Sequence, residues 1–168
     1  MNKEEKKSLI EVSIVVLIAA GLALAGSQGG YLLAGIPLFA LCVALAFVIQ
    51  WIAFIPAFIK QTETFYDLTG SLTYITVVLA AVLLHPVVDG RSLLLMGMVL
   101  IWAVRLGSFL FRRILAAGED RRFREIKPSF ARFLMAWTLQ GLWVSFSLAA
   151  ALAAMTSTVR VELGWFAL

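Results

Sequence analysis

The chain has 168 residues, of which 62% are hydrophobic and only 14% charged, with a mean hydropathy of +0.96 and a formal net charge of +4. That balance lies outside soluble globular composition and points to a single membrane domain. One cysteine, Cys42, and one histidine, His85, exclude an intramolecular disulfide, a cysteine metal cluster and a histidine-cluster metal site, and they argue against a Ser-His-Asp relay. No metal is therefore expected.

The net positive charge does not point to nucleic acid, because the basic residues flank apolar runs and no nucleic-acid motif accompanies them. A spanning helix needs about 20 predominantly apolar residues. Five segments meet that demand, at 9–26, 35–59, 71–88, 92–111 and 130–155. Their apolar residues run all round rather than in stripes, as lipid-solvated helices do. Open sheet edges are not tolerated in hydrocarbon, so strands are not expected within them. The expected fold is all-α: a multi-pass transmembrane bundle of about five helices.

The first span follows Lys3, Lys6 and Lys7. Its apolar run and Ala23-Leu-Ala25 have the layout of a signal peptide, but Glu4, Glu5 and Glu11 argue against cleavage. Gly26-Ser-Gln-Gly-Gly30 then makes a turn. In the second span Pro37 stands near the start, where proline is tolerated, and Pro56 near the end should kink or terminate the helix. Gln50 lies deep in this span beside Trp51. Its amide either polarises a substrate carbonyl or ties helices together.

The loop from Lys60 to Ser71 is dense in side-chain oxygens, and Asp67, Thr69 or Ser71 would cap the third span. Such capping leaves Glu63 and Tyr66 unexplained. His85-Pro86 ends the third span near the opposite interface, and Asp89-Gly-Arg91 is read as a tight hairpin. Arg105 lies within the fourth span, seven residues or about 10 Å from Arg112. It either snorkels to the interface or clamps a phosphate or carboxylate in a cavity. In the basic loop 112–129, Glu119, Asp120 and Glu125 interleave with Arg121, Arg122 and Arg124, a pattern for an ordered, internally paired loop. Gln140 sits in the fifth span between Trp137 and Trp143, again as a helix tie or a ligand contact.

Lysine and arginine then orient the chain. Lys3, Lys6, Lys7, Lys60, Arg112, Arg113, Arg121, Arg122, Arg124, Lys127 and Arg132 fall on one side, against Arg91 and Arg160 on the other. By the positive-inside rule the N-terminus is cytoplasmic, and five spans put the C-terminus on the far side. The expected location is a bacterial inner membrane, with membrane lipids as partners.

Four runs carry a family resemblance: Phe65-Tyr-Asp-Leu-Thr-Gly-Ser-Leu-Thr-Tyr74, Trp102-Ala-Val-Arg-Leu-Gly-Ser-Phe-Leu110, Glu119-Asp-Arg-Arg-Phe123 and Trp137-Thr-Leu-Gln-Gly-Leu-Trp143. In order and spacing they resemble the DUF1295 family of bacterial multi-pass membrane proteins, related to the C-terminal domain of steroid 5-alpha-reductases. The resemblance implies an NADPH-dependent reductase acting on a carbon–carbon double bond conjugated to a carbonyl, in a lipid or steroid. It implies that Arg105, Asp67, Asp120 and Arg122 face the cofactor. Gln50 falls where the reductases carry a glutamine–glutamate pair for the substrate carbonyl, with Trp51 here in place of the glutamate. Tyr66 or Tyr74 would then give the proton. The family's R-H-P-N-Y-like segment is not found, and the chain stops at Val159-Arg-Val-Glu-Leu-Gly-Trp-Phe-Ala-Leu168. On the family pattern this is an N-terminal half, read as a truncated gene, a fragment or a split subunit, and in the last case a separate C-terminal-half subunit would complete the NADPH site. The rival reading is a non-enzymatic membrane protein that packs with partner helices or anionic lipid.

Overall fold

The computed structural model describes residues 3–159. Arg160, assigned above to the far side, and the C-terminus at Leu168 lie outside the described residues. Five helices are present: α1 (Lys3–Gly26), α2 (Leu38–Ile59), α3 (Tyr66–Leu83), α4 (Gly90–Ala117) and α5 (Phe130–Thr156). All five are long and apolar enough to cross a membrane, so the chain is a multi-pass helical membrane protein. The helices alternate in direction. One face of the bundle collects the start of α1, the α2–α3 loop and the α4–α5 loop, and this basic face holds most of the charge.

Local chemistry sets the helix ends. The Asp89 carboxylate caps α4 by accepting from the Ser92 N–H at 2.8 Å, so this residue starts a helix as well as turning the chain. Gly118 ends α4 at a φ of +78°, the left-handed region that favours glycine. Pro56 lies inside the last turn of α2, and the helix stops at Ile59. The expected capping of α3 by Asp67, Thr69 or Ser71 is corrected. The Tyr66 N–H already bonds the Glu63 carbonyl at 2.8 Å, so α3 starts at Tyr66 with no side-chain cap. Those three residues are therefore inside the helix. On the opposite face a two-residue turn, Ala34-Gly35, with positive φ at both positions, joins β1 (Leu32–Leu33) to β2 (Ile36–Pro37). This small hairpin stands outside the helices, and for that reason α2 begins at Leu38 rather than at 35.

Helix α5 is the centre, packed on α1, α2 and α3, while α4 leans chiefly on α3. In lipid the hydrophobic effect does not drive helices together, so close packing must. Alanines, valines and Phe39 form most of the main core. A second, aromatic core near the basic face joins Phe54, Phe123, Phe133 and Trp137. At Gly107 a β-carbon would come within 2.7 Å of Ser71 Cβ, so only glycine lets α4 approach α3 this closely. The outward faces of α1 and α4 stay exposed and mainly apolar, as lipid contact requires, with Arg105 and Arg112 as exposed charges on α4.

Candidate functional site

Three helices leave a cavity of about 410 Å³ between them, within the range of small-molecule sites. Helix α3 supplies Tyr66, Asp67, Gly70, Ser71 and Tyr74, which share one helical face at these spacings. Helix α4 supplies Trp102, Leu106 and Leu110, and α5 supplies Leu139, Gln140, Trp143 and Val144. The walls are mainly apolar and aromatic, with a few polar groups near the basic face.

The two tyrosines differ in what they can do. The Tyr66 hydroxyl donates to the Ala136 carbonyl at 2.9 Å, and its ring is wedged against Phe123 and Trp137 with centroids 4.8 and 5.1 Å away. The Tyr74 ring stands edge-on to Trp102 at 4.8 Å. Its buried hydroxyl, close to Ser147, makes no hydrogen bond of ordinary geometry. The Gln140 amide nitrogen donates to the Tyr66 carbonyl at 3.1 Å, while its buried Oε1 has no partner. A buried polar atom without a partner is costly; both atoms belong to residues that line the cavity and are themselves covered from it. Gly70 gives Gln140 its room, because a β-carbon there would collide with the amide.

At the mouth of the cavity Asp67 is 3.3 Å from Arg113. Arg113 also lines a groove of about 310 Å³ on the basic face, shared with Asp120, Arg121 and Arg122. Thus one ion pair stands between cavity and groove. Asp120 accepts from Arg122 through both oxygens, and these hydrogen bonds hold its carboxyl below the usual range despite partial burial. Arg124 pairs with Glu119. Beneath this loop lies Glu63, only 5% exposed, which accepts from the Asp120 N–H at 2.8 Å and from Lys127 Nζ at 2.5 Å. Burial by itself would raise the Glu63 carboxyl, but the Lys127 and backbone hydrogen bonds outweigh it and hold it low. Phe123, buried against Tyr66 and Phe133, anchors the same loop.

The predicted site residues therefore separate. Tyr66, Asp67 and Tyr74 meet in the cavity, and Asp120 and Arg122 adjoin it through Arg113. Gln50 does not join them: it is fully buried and donates to Thr73 Oγ1 at 2.8 Å, as a helix tie. Nor does Arg105, which the phosphate-clamp reading aimed into the bundle near Asp67 or the basic loop. Helix α4 buries Ala103 and Gly107, and Arg105 lies about 200° around the helix from either, exposed in an outer groove with Trp102, Leu106 and Phe109. Sequence reasoning did not single out Glu63 with Lys127, whose contact spans 64 residues and leaves no periodic signal. Trp102 and Trp143 as cavity walls were traceable only as aromatics flanking Arg105 and Gln140.

Fold and cavity together define a helical multi-pass membrane protein with a cavity between α3, α4 and α5. The chain belongs to the DUF1295 family, described as a protein of unknown function, whose model matches residues 53–168. That match includes the whole cavity and leaves Gln50 outside it. No curated protein and no solved structure matches the chain.

Proposed function

We propose that this chain holds a flat, carbonyl-bearing lipid of the enone type in the α3–α4–α5 cavity, as the substrate-binding part of a membrane-embedded NADPH-dependent reductase. The observation that carries the reading is the cavity lining itself: two tryptophans beside Tyr74 and Gln140, whose buried hydroxyl and amide oxygen make no hydrogen bond of ordinary geometry. Tryptophan faces suit a planar ring system. The Tyr74 O–H can donate to a substrate carbonyl, polarise it, steady the enolate oxygen and yield its proton there. Tyr66 suits that role less, because its proton is committed to Ala136.

The reductase part of this reading rests on the resemblance of the four sequence runs above to a family read as related to steroid 5-alpha-reductases. NADPH, when bound, would supply the hydride for the carbon β to the carbonyl. Arg113, Arg121 and Arg122 around the basic groove fit its phosphates, with Asp120 fixing the Arg122 guanidinium. Among the described residues the groove is walled by the end of α4 and the 119–122 turn, and a separate C-terminal-half subunit would cover its other side. Lysine and arginine bias supports a cytoplasmic basic face in a bacterial inner membrane. A reporter fused after Ser129 should then be active only in the cytoplasm.

The rival, a non-enzymatic protein that packs with partner helices or lipid, draws support from Gln50, whose amide nitrogen ties α2 to Thr73 of α3 while its buried Oε1 has no partner. A titration separates the two readings. With the chain in nanodiscs, a conjugated 3-keto steroid should quench tryptophan fluorescence saturably. Tyr74→Phe should weaken binding roughly three- to tenfold, the worth of one neutral hydrogen bond. Equal binding of an analogue lacking the carbonyl, or no effect of Tyr74→Phe, would remove the proposal.

A further inference from the structure

The outward stripe of α4 has a charge problem that the fold does not solve. Arg105 and Arg112 are seven residues apart, hence on the same helical face, with Ser108 and Phe109 between them. Both arginines are exposed on the lipid side, and among the described residues neither has an ion pair or a side-chain hydrogen bond. Four of the acids near this end of α4 are already taken: Asp67 by Arg113, Asp120 by Arg122, Glu119 by Arg124 and Glu63 by Lys127. Glu125 of the same loop, though without an ion pair among the described residues, pairs with neither Arg105 nor Arg112. An arginine about 10 Å below the interface, without an anion, is expensive in hydrocarbon.

We propose that this stripe is a binding site for an anionic phospholipid, whose phosphate is held between the Arg105 and Arg112 guanidinium groups. Arg105 reaches up from below by snorkelling, and Arg112 meets the phosphate at head-group level. A guanidinium fork suits phosphate oxygens better than an ammonium does. The groove of about 300 Å³ formed by Trp102, Arg105, Leu106 and Phe109 takes the glycerol and the first part of an acyl chain against its aromatic walls. A choline head group would bring a second cation beside two arginines, so a lipid with net negative charge is preferred. Trp102 and Leu106 also line the substrate cavity, which makes this lipid the outer neighbour of that site.

Native mass spectrometry of the chain, released from nanodiscs containing both phosphatidylglycerol and phosphatidylcholine, tests this. The wild type should retain phosphatidylglycerol preferentially. Arg105→Gln and Arg112→Gln should each weaken that retention roughly fivefold, the worth of one cation near a membrane surface, with phosphatidylcholine unchanged. Arg105→Lys should lose part of it, because it keeps charge without the fork. Lys60→Gln, an exposed charge elsewhere on the basic face, should retain lipid as the wild type does. Equal retention of the two lipids by the wild type, or unchanged retention in Arg105→Gln, would overturn the site. So would a dimer cross-linked through Leu106 and Phe109, since a second copy would then cover the stripe.

Discussion

Trp137→Ala is expected to destabilise the bundle by about 3 kcal/mol, the low end for a large aromatic because only the cavity term applies, read as a shifted midpoint when the protein is unfolded in mixed micelles. The indole is 1% exposed and packs on Tyr66 and Phe133 at the point where α3, α5 and the basic loop meet. Its N–H has no hydrogen-bond partner, so the whole loss comes from packing. Because lipid is as apolar as the core, no transfer term softens or enlarges that loss, and the cavity left behind dominates. Tyr66 and Phe133, against which Phe123 packs, lose a wall in the same step, so proteolysis within 118–129 should also speed up. A midpoint shift worth less than about 1 kcal/mol would show that the aromatic cluster is not a keystone.

Glu63→Ala should cost about 3 kcal/mol, because it leaves a half-buried Lys127 ammonium and the Asp120 N–H without their acceptor. Glu63→Gln should cost less and carry the pH signature. In the folded chain the Glu63 carboxyl is held below its ordinary value of 4.5. A group depressed on folding contributes stability above its unfolded pKa and loses it as pH falls through the lower folded value. The stability gap between wild type and Glu63→Gln should thus be complete above pH 4.5 and close as the solution is acidified further. A gap that widened in acid would contradict this account of the loop.

Much of the architecture was legible in apolar run length alone. Five runs long enough for a bilayer became five helices, and glycine or aspartate at 26–30 and 89–91 marked two of the connections. The family was legible too, from motifs that lie within the matched residues. The helical phase was not. A span that is apolar all round carries no stripe to say which face packs, so nothing in the run around Arg105 indicated that Ala103 and Gly107, two residues to either side, would take the inward face. The placement of Gln50 was illegible for the same reason: its partner Thr73 lies on another helix, and only packing brings them together. Tyr66, Asp67 and Tyr74 were legible as neighbours, because their spacing already puts them on one face of α3, and that face lines the cavity. The start of α3 was misplaced because a backbone hydrogen bond from Tyr66 to Glu63, rather than a side-chain cap, begins it.

The central claim is that the α3–α4–α5 cavity is where a conjugated carbonyl lipid sits. Conjugated enone steroids cross-link to nearby side chains on irradiation, so the probe can be the ligand itself. After irradiation in nanodiscs and peptide mapping, label should fall on 66–74, 102–110 and 139–144, with Tyr74 and Trp143 prominent, and an excess of unmodified steroid should suppress it. Label concentrated in the alanine-lined groove between α1 and α2, around Ala20 and Ala44, or spread evenly over lipid-facing residues, would contradict the claim.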